Sequence, residues 1–125
     1  MTSLQRILYV EDEADIQAVA KLALEMVGGF EVKICSSGEQ ALDEAEAFAP
    51  QLLLLDVMMP GMDGPSTLAA LRAIPSLAEV PAVFMTAKVQ PSEVAYYRSL
   101  GALDVIAKPF DPMGLADEVK RIWER

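Results

Sequence analysis

The sequence predicts an α/β domain in which five parallel strands alternate with five helices that cover both faces of a doubly wound sheet. Three observations predict it. The runs Arg6–Val10, Gln51–Leu55 and Ala82–Met85 are short and continuously apolar or nearly so, as strands covered on both faces require. The longer stretches between them repeat apolar residues at three- and four-residue steps. Turn residues punctuate the alternation, and strands alternating with helices imply a parallel sheet with right-handed crossovers. At 125 residues there is room for one domain of ordinary size. With 53% hydrophobic residues it supports its own core without a disulfide or a structural metal.

The elements follow in order. Arg6–Val10 is the first strand, and Ile16, Val19, Ala20, Ala23 and Val27 mark a helix that stops at Gly28 and Gly29. Glu31–Ile34 alternates polar and apolar residues, the pattern of a half-exposed edge strand. Ser37 and Gln40 stand at capping-box spacing and open a helix through Leu42, Ala45 and Phe48. Gln51–Leu55 is the most apolar strand; it ends at Asp56, and a loop rich in methionine, proline and glycine runs from Val57 to Gly64. Pro65 is the expected first residue of a third helix carrying Leu68 and Leu71. Ala82–Met85 is a fourth strand ending at Thr86, and a helix with Tyr96, Tyr97 and Leu100 stops at Gly101. Leu103–Ile106 is the fifth strand, followed by Ala107, Lys108 and Pro109. Asp111 is the expected cap of the last helix, with Pro112 at its first position and Leu115, Val119 and Ile122 along one face.

Several function classes fall away on composition. The net charge of −9 opposes direct contact with nucleic acid or an anionic membrane surface. The plain reading of the acidity is solubility. The absence of histidine removes His-based triads, His metal sites and any phosphohistidine donor role. Cys35, the single cysteine, has no internal disulfide partner, which suits a reducing compartment. No stretch resembles a signal peptide or is long and apolar enough to span a bilayer, so a cytoplasmic location is expected.

In such sheets ligands bind beyond the carboxyl ends of the strands. The residues just past the buried strands are Glu11 and Asp12, then Asp56, Thr86 and, slightly further on, Lys108. Each has a plain alternative: Asp12 as a helix cap, Thr86 as an ordinary strand residue, Lys108 as a solvated charge. Asp56 is harder to dismiss, because a carboxylate directly after four leucines sits at the edge of a low-dielectric core. Taken together they are complementary. Three carboxylates at one rim repel one another unless a cation joins them, and Mg²⁺ favours carboxylate oxygens while also binding phosphate oxygens. A hydroxyl and an ammonium on neighbouring strands suit the remaining oxygens of a phosphoryl group.

Four segments carry a family resemblance: Leu8–Glu13 (LYVEDE), Asp56–Gly64 (DVMMPGMDG), Met85–Ala87 (MTA) and Ala107–Phe110 (AKPF). In this order and spacing they resemble the receiver domain of bacterial two-component response regulators, chemotaxis-regulator-like in form, over nearly the whole chain. The resemblance implies a flavodoxin-like strand order of 2-1-3-4-5 and a single receiver domain over residues 1–125 with no output domain. It makes Asp56 the phosphoacceptor and Asp12 a ligand of Mg²⁺ (or Mn²⁺), joined by the backbone carbonyl of Met58. Glu11 is then a metal-site acid acting directly or through water. Thr86 would bond the phosphoryl group, Lys108 would pair with it, and the peptide before Pro109 would be cis. The implied partners are a sensor histidine kinase or histidine phosphotransfer protein and a downstream protein target or output domain. Such a protein catalyses only its own phosphoryl transfer and dephosphorylation.

Two positions depart from the family pattern. Where many members carry an aromatic residue three positions before the lysine, this chain has Val105, too small to swing in the same way. Tyr96 or Tyr97 is the candidate to take over part of that role, against the plainer reading of paired tyrosines as packing or partner surface. Two residues after Asp56 stands Met58, whose thioether orients an attacking water poorly, so a long-lived phosphoryl mark is expected. The alternatives are weaker. A haloacid-dehalogenase-type phosphatase expects a second Asp at the place of Met58, and an FMN protein would meet three repelling acids. An interaction module that is never phosphorylated would not need the acid, Thr and Lys set.

Overall fold

Successive side chains of a strand point to opposite faces, so a strand that is apolar at every position needs cover on both sides. The structure, a computed structural model, describes residues 3–124. The ends of the expected 1–125 domain, Met1, Thr2 and Arg125, lie outside them. Five strands, β1 (Arg6–Val10), β2 (Glu31–Cys35), β3 (Leu52–Asp56), β4 (Ala82–Thr86) and β5 (Asp104–Ala107), form one parallel sheet in the order β2-β1-β3-β4-β5. The helices are α1 (Ala14–Leu22), α2 (Gly38–Phe48), α3 (Gly64–Arg72), α4 (Pro91–Ser99) and α5 (Leu115–Trp123).

The alternation sorts the core into two layers. Ile7, Tyr9, Leu52, Leu54, Val83, Met85 and Ile106 face one side, under Ala20 and Leu24 and under Leu115, Val119 and Ile122 of α5. Leu8, Val10, Leu53, Leu55, Ala82 and Phe84 face the other, against Ala41, Ala45, Leu68, Leu71 and Tyr97 of α2, α3 and α4. All five residues of β3 and of β4 are buried, which is why these strands read as unbroken apolar runs. β2 pairs only with β1 and is the edge expected from its alternation.

Several boundaries differ from the expected ones. The first helix passes at Ala23–Val27 into a turn of π-helix. The wider winding carries Val27 outward, 45% exposed like Val19 at 42%, and turns Leu24 into the core. Ser37 caps α2 by accepting from the Gln40 N–H, but the Gln40 side chain returns to the Ser36 N–H rather than to Ser37. Pro65 is the second residue of α3, and Asp63 caps the helix start, its side chain accepting from the Ser66 N–H. The strand β5 begins at Asp104, leaving Leu103 39% exposed just before it.

The expected start of the last helix is corrected. Asp111 accepts from the Met113 N–H through its side chain and from the Gly114 and Leu115 N–H groups through its carbonyl. It therefore closes a turn over residues 112–114, and α5 begins only at Leu115. Aspartate caps a turn by the same bonds with which it caps a helix, so the residue signal is shared between them.

Candidate functional site

Every side chain expected at the site sits at the carboxyl edge of the sheet, and the backbone explains why. The parallel ladder runs one step beyond the strands: Glu11 N–H donates to the Cys35 carbonyl at 2.9 Å, Val57 N–H to Met85 at 3.1 Å, and Lys108 N–H to Thr86 at 2.9 Å. These bonds hold the first loop residues in strand geometry, so Glu11, Asp56, Thr86 and Lys108 are carried by a rigid edge. The β3–α3 loop is drawn back by a 3.0 Å bond from the Gly64 N–H to the Val57 carbonyl. A Cβ at Gly64 would lie 2.5 Å from the Asp56 carbonyl oxygen, so only glycine lets the loop close this tightly.

Glu11, Asp12 and Asp56 each bring one carboxylate oxygen to within 4.8 Å of the others. Glu11 is fully buried and Asp56 only 4% exposed. The Lys108 ammonium bridges them, 2.8 Å from Glu11 Oε1 and 3.2 Å from Asp56 Oδ1. One ammonium against three carboxylates leaves negative charge on the rim. Burial, and then the Glu11 charge, push the Asp56 carboxyl up to about 6, while Lys108 pulls the other way. The same acids hold the Lys108 ammonium above its ordinary value despite its partial burial.

Asp12, Asp56, Met58, Thr86 and Lys108 line a cavity of about 240 Å³. Thr86 is 3% exposed, and its Oγ1 accepts from the Lys88 N–H at 3.1 Å. The Met58 side chain is 72% exposed at the rim. Glu11 is not part of the cavity wall; it lies behind it, among its own donors. The peptide between Lys108 and Pro109 is cis, as the resemblance implied.

Oxygen donors gathered from Glu11, Asp12 and Asp56 are what a hard divalent ion takes, so the residues present fit Mg²⁺ or Mn²⁺. The cavity beside them is open enough for a small oxyanion, with the Thr86 and Lys108 side chains on its wall.

Some contributors were not read from the sequence. Tyr9, fully buried, donates its phenol to Glu11 Oε1 at 3.3 Å, and the Glu13 N–H donates to Oε2 at 3.2 Å. Gln17 donates to the Glu11 carbonyl and to Ser36. Tyr9 and Glu11 stand two positions apart, hence on one face of an extended chain; that spacing was the available signal. Burial and the two carboxylates raise the Tyr9 phenol far above its ordinary value, so it stays a donor. The structure also separates the paired tyrosines. Tyr97 is 8% exposed and its ring lies 5.3 Å from that of Phe84, whereas Tyr96 is 56% exposed. Val105 packs against the same core layer as Phe84 and Tyr97.

A doubly wound parallel sheet of this order, with acids, a threonine and a lysine at its carboxyl edge, has the form of a signalling receiver. The chain belongs to the response regulator receiver domain family, which its residues 7–120 match. It is 38% identical over 119 residues to the DNA-binding response regulator MtrA of Mycobacterium tuberculosis, covering 95% of this chain and 50% of that protein. It is 36% identical over 121 residues to the alkaline phosphatase synthesis transcriptional regulatory protein PhoP of Bacillus subtilis, covering 97% of this chain and 49% of that one. The chain thus spans about half the length of these curated relatives. Among solved structures it superposes on the chemotaxis protein CheY4 of Vibrio cholerae with a TM-score of 0.87 and 26% identity, covering 96% of this chain and 99% of that one. No helix among the described residues is long and apolar enough to cross a membrane.

Proposed function

We propose that this chain is a cytoplasmic phosphoacceptor switch that takes a phosphoryl group onto Asp56 from a phosphohistidine on a sensor kinase or phosphotransfer protein. The observation that carries this reading is the meeting of Glu11, Asp12 and Asp56 within 4.8 Å, with the Lys108 ammonium bridging two of them. A divalent ion held by Asp12, Asp56 and the Met58 carbonyl, with Glu11 acting directly or through water, would neutralise the acids and draw in phosphoryl oxygens.

The chain's own residues do the rest. In its ionised form an Asp56 carboxylate oxygen attacks phosphorus; the P–N bond breaks, a P–O bond forms, and the electron pair leaves with the imidazole nitrogen, which takes up a proton. Lys108 turns from Glu11 and Asp56 toward the arriving oxygens. Thr86 donates its hydroxyl to one of them, giving up its place against Lys88, and the surface around β4 and α4 repacks. Water later hydrolyses the acyl phosphate and resets the switch. The output passes through protein contacts, to a separate target or to a module joined to this one, with no direct role for nucleic acid or membrane.

Incubation with Mg²⁺ and acetyl phosphate or phosphoramidate, read by intact mass, tests the reading. A gain of one phosphoryl unit is expected, absent in Asp56→Asn and abolished when EDTA removes the Mg²⁺. Failure of both donors to label the folded protein, or undiminished labelling of Asp56→Asn, overturns it.

A further inference from the structure

Tyr9 carries a hydroxyl into the middle of an apolar layer, among Ile7, Ala20 and Leu24, where a polar group without a partner is costly. Its hydroxyl bonds to Glu11 Oε1 at 3.3 Å. The same oxygen takes the Lys108 ammonium at 2.8 Å, and the other oxygen takes the Glu13 N–H at 3.2 Å. These donors differ in kind. Lys108 is a flexible cation that also reaches Asp56 at 3.2 Å and is free to follow charge arriving in the cavity. Tyr9 is a ring packed in the core with nowhere else to send its hydroxyl.

We propose that Tyr9 is a positioning residue for the metal site, its phenol fixing the Glu11 carboxylate so that the acid keeps its orientation when Lys108 moves away. This rests on the reading of Glu11, Asp12 and Asp56 as a divalent-metal site. A carboxylate held by a core-anchored donor presents its oxygens toward the ion, or toward a water on it, without reordering at each turnover of the switch. Groups that orient a ligand in this way typically matter by tenfold or more in metal affinity.

The test is Tyr9→Phe, which keeps the ring and its packing and removes the hydroxyl alone, with the exposed Tyr96→Phe as control. Mg²⁺ is titrated into the full chain by NMR or calorimetry with no phosphodonor present, and thermal unfolding is followed in EDTA. Labelling by acetyl phosphate is then measured against Mg²⁺ concentration. The expected result for Tyr9→Phe is a Mg²⁺ Kd weakened roughly tenfold. The Mg²⁺ needed for half-maximal labelling rises in parallel, the rate at saturating Mg²⁺ is kept, and the metal-free Tm changes little; Tyr96→Phe matches the parent. An unchanged or tighter Kd overturns the proposal, as does a loss of saturating rate and metal-free Tm with no change in Kd. Failure of the parent itself to bind Mg²⁺ removes the metal-site reading and this inference with it, whereas parent binding with an unaffected Tyr9→Phe removes this inference alone.

Discussion

Burial, with the Glu11 carboxylate alongside, pushes the Asp56 carboxyl from 3.8 up to about 6 in the absence of metal. A carboxyl held above its unfolded value favours the folded state while protonated. That contribution is complete below about pH 4 and is lost as pH rises through about 6. In EDTA the stability difference between Asp56→Asn and the parent should therefore grow in favour of the variant from pH 5 to pH 7. At pH 7 the variant should melt several degrees higher; thermal unfolding across that range checks it, and a constant difference contradicts it. Met58 supports a second prediction at this scale. Its exposed thioether offers an incoming water no strong hydrogen bond. Met58→Asn should lose the phosphoryl group several-fold faster than the parent, measured as decay of the labelled mass after donor removal. The acids, Thr86 and Lys108 were legible because a parallel sheet makes the residue past each buried strand a candidate. Tyr9 was not, because a tyrosine within an apolar run reads equally well as packing.

At the scale of elements, two backbone positions carry opposite expectations. Gly64 opens α3 so close beneath Asp56 that a Cβ would lie 2.5 Å from its carbonyl oxygen and 2.9 Å from Val57 Cα. Both neighbours are backbone, so relief would require the β3–α3 loop to shift. Gly64→Ala should cost about 1–3 kcal/mol in urea unfolding and weaken labelling of Asp56. Ala49, by contrast, ends α2 in the left-handed region, at φ 56. Ala49→Gly relieves that conformation, and after the added freedom of the unfolded chain should stabilise by roughly 0.5–1 kcal/mol, read from the same denaturation curves. The existence and type of every strand and of the five α-helices could be read from apolar periodicity. Their ends were less legible, since the π turn at Ala23–Val27 and the turn at 112–114 use residues equally at home in an α-helix.

For the molecule as a whole, fold and ligand are linked through one edge of the sheet. A divalent ion that binds only where the ends of two neighbouring strands, β1 and β3, bring their three acids together stabilises the folded chain by mass action. At a Mg²⁺ concentration ten times its Kd the gain should be about 1.4 kcal/mol, abolished by EDTA and reduced in Asp12→Asn. Differential scanning calorimetry with and without chelator checks this. The strand order was legible only through the family resemblance, because apolar runs state that strands exist without stating which lie side by side. The two-layer core was legible from alternation alone: β1 sends Ile7 and Tyr9 to one layer and Leu8 and Val10 to the other.

The bridge from Lys108 to Glu11 joins positions 97 apart. During translation Asp56 leaves the ribosome well before its ammonium partner has been made. A nascent polypeptide thus displays the acids without the cation that completes their rim, and we expect stalled or prematurely terminated chains to resist labelling. Competence to receive a signal arrives with the finished product.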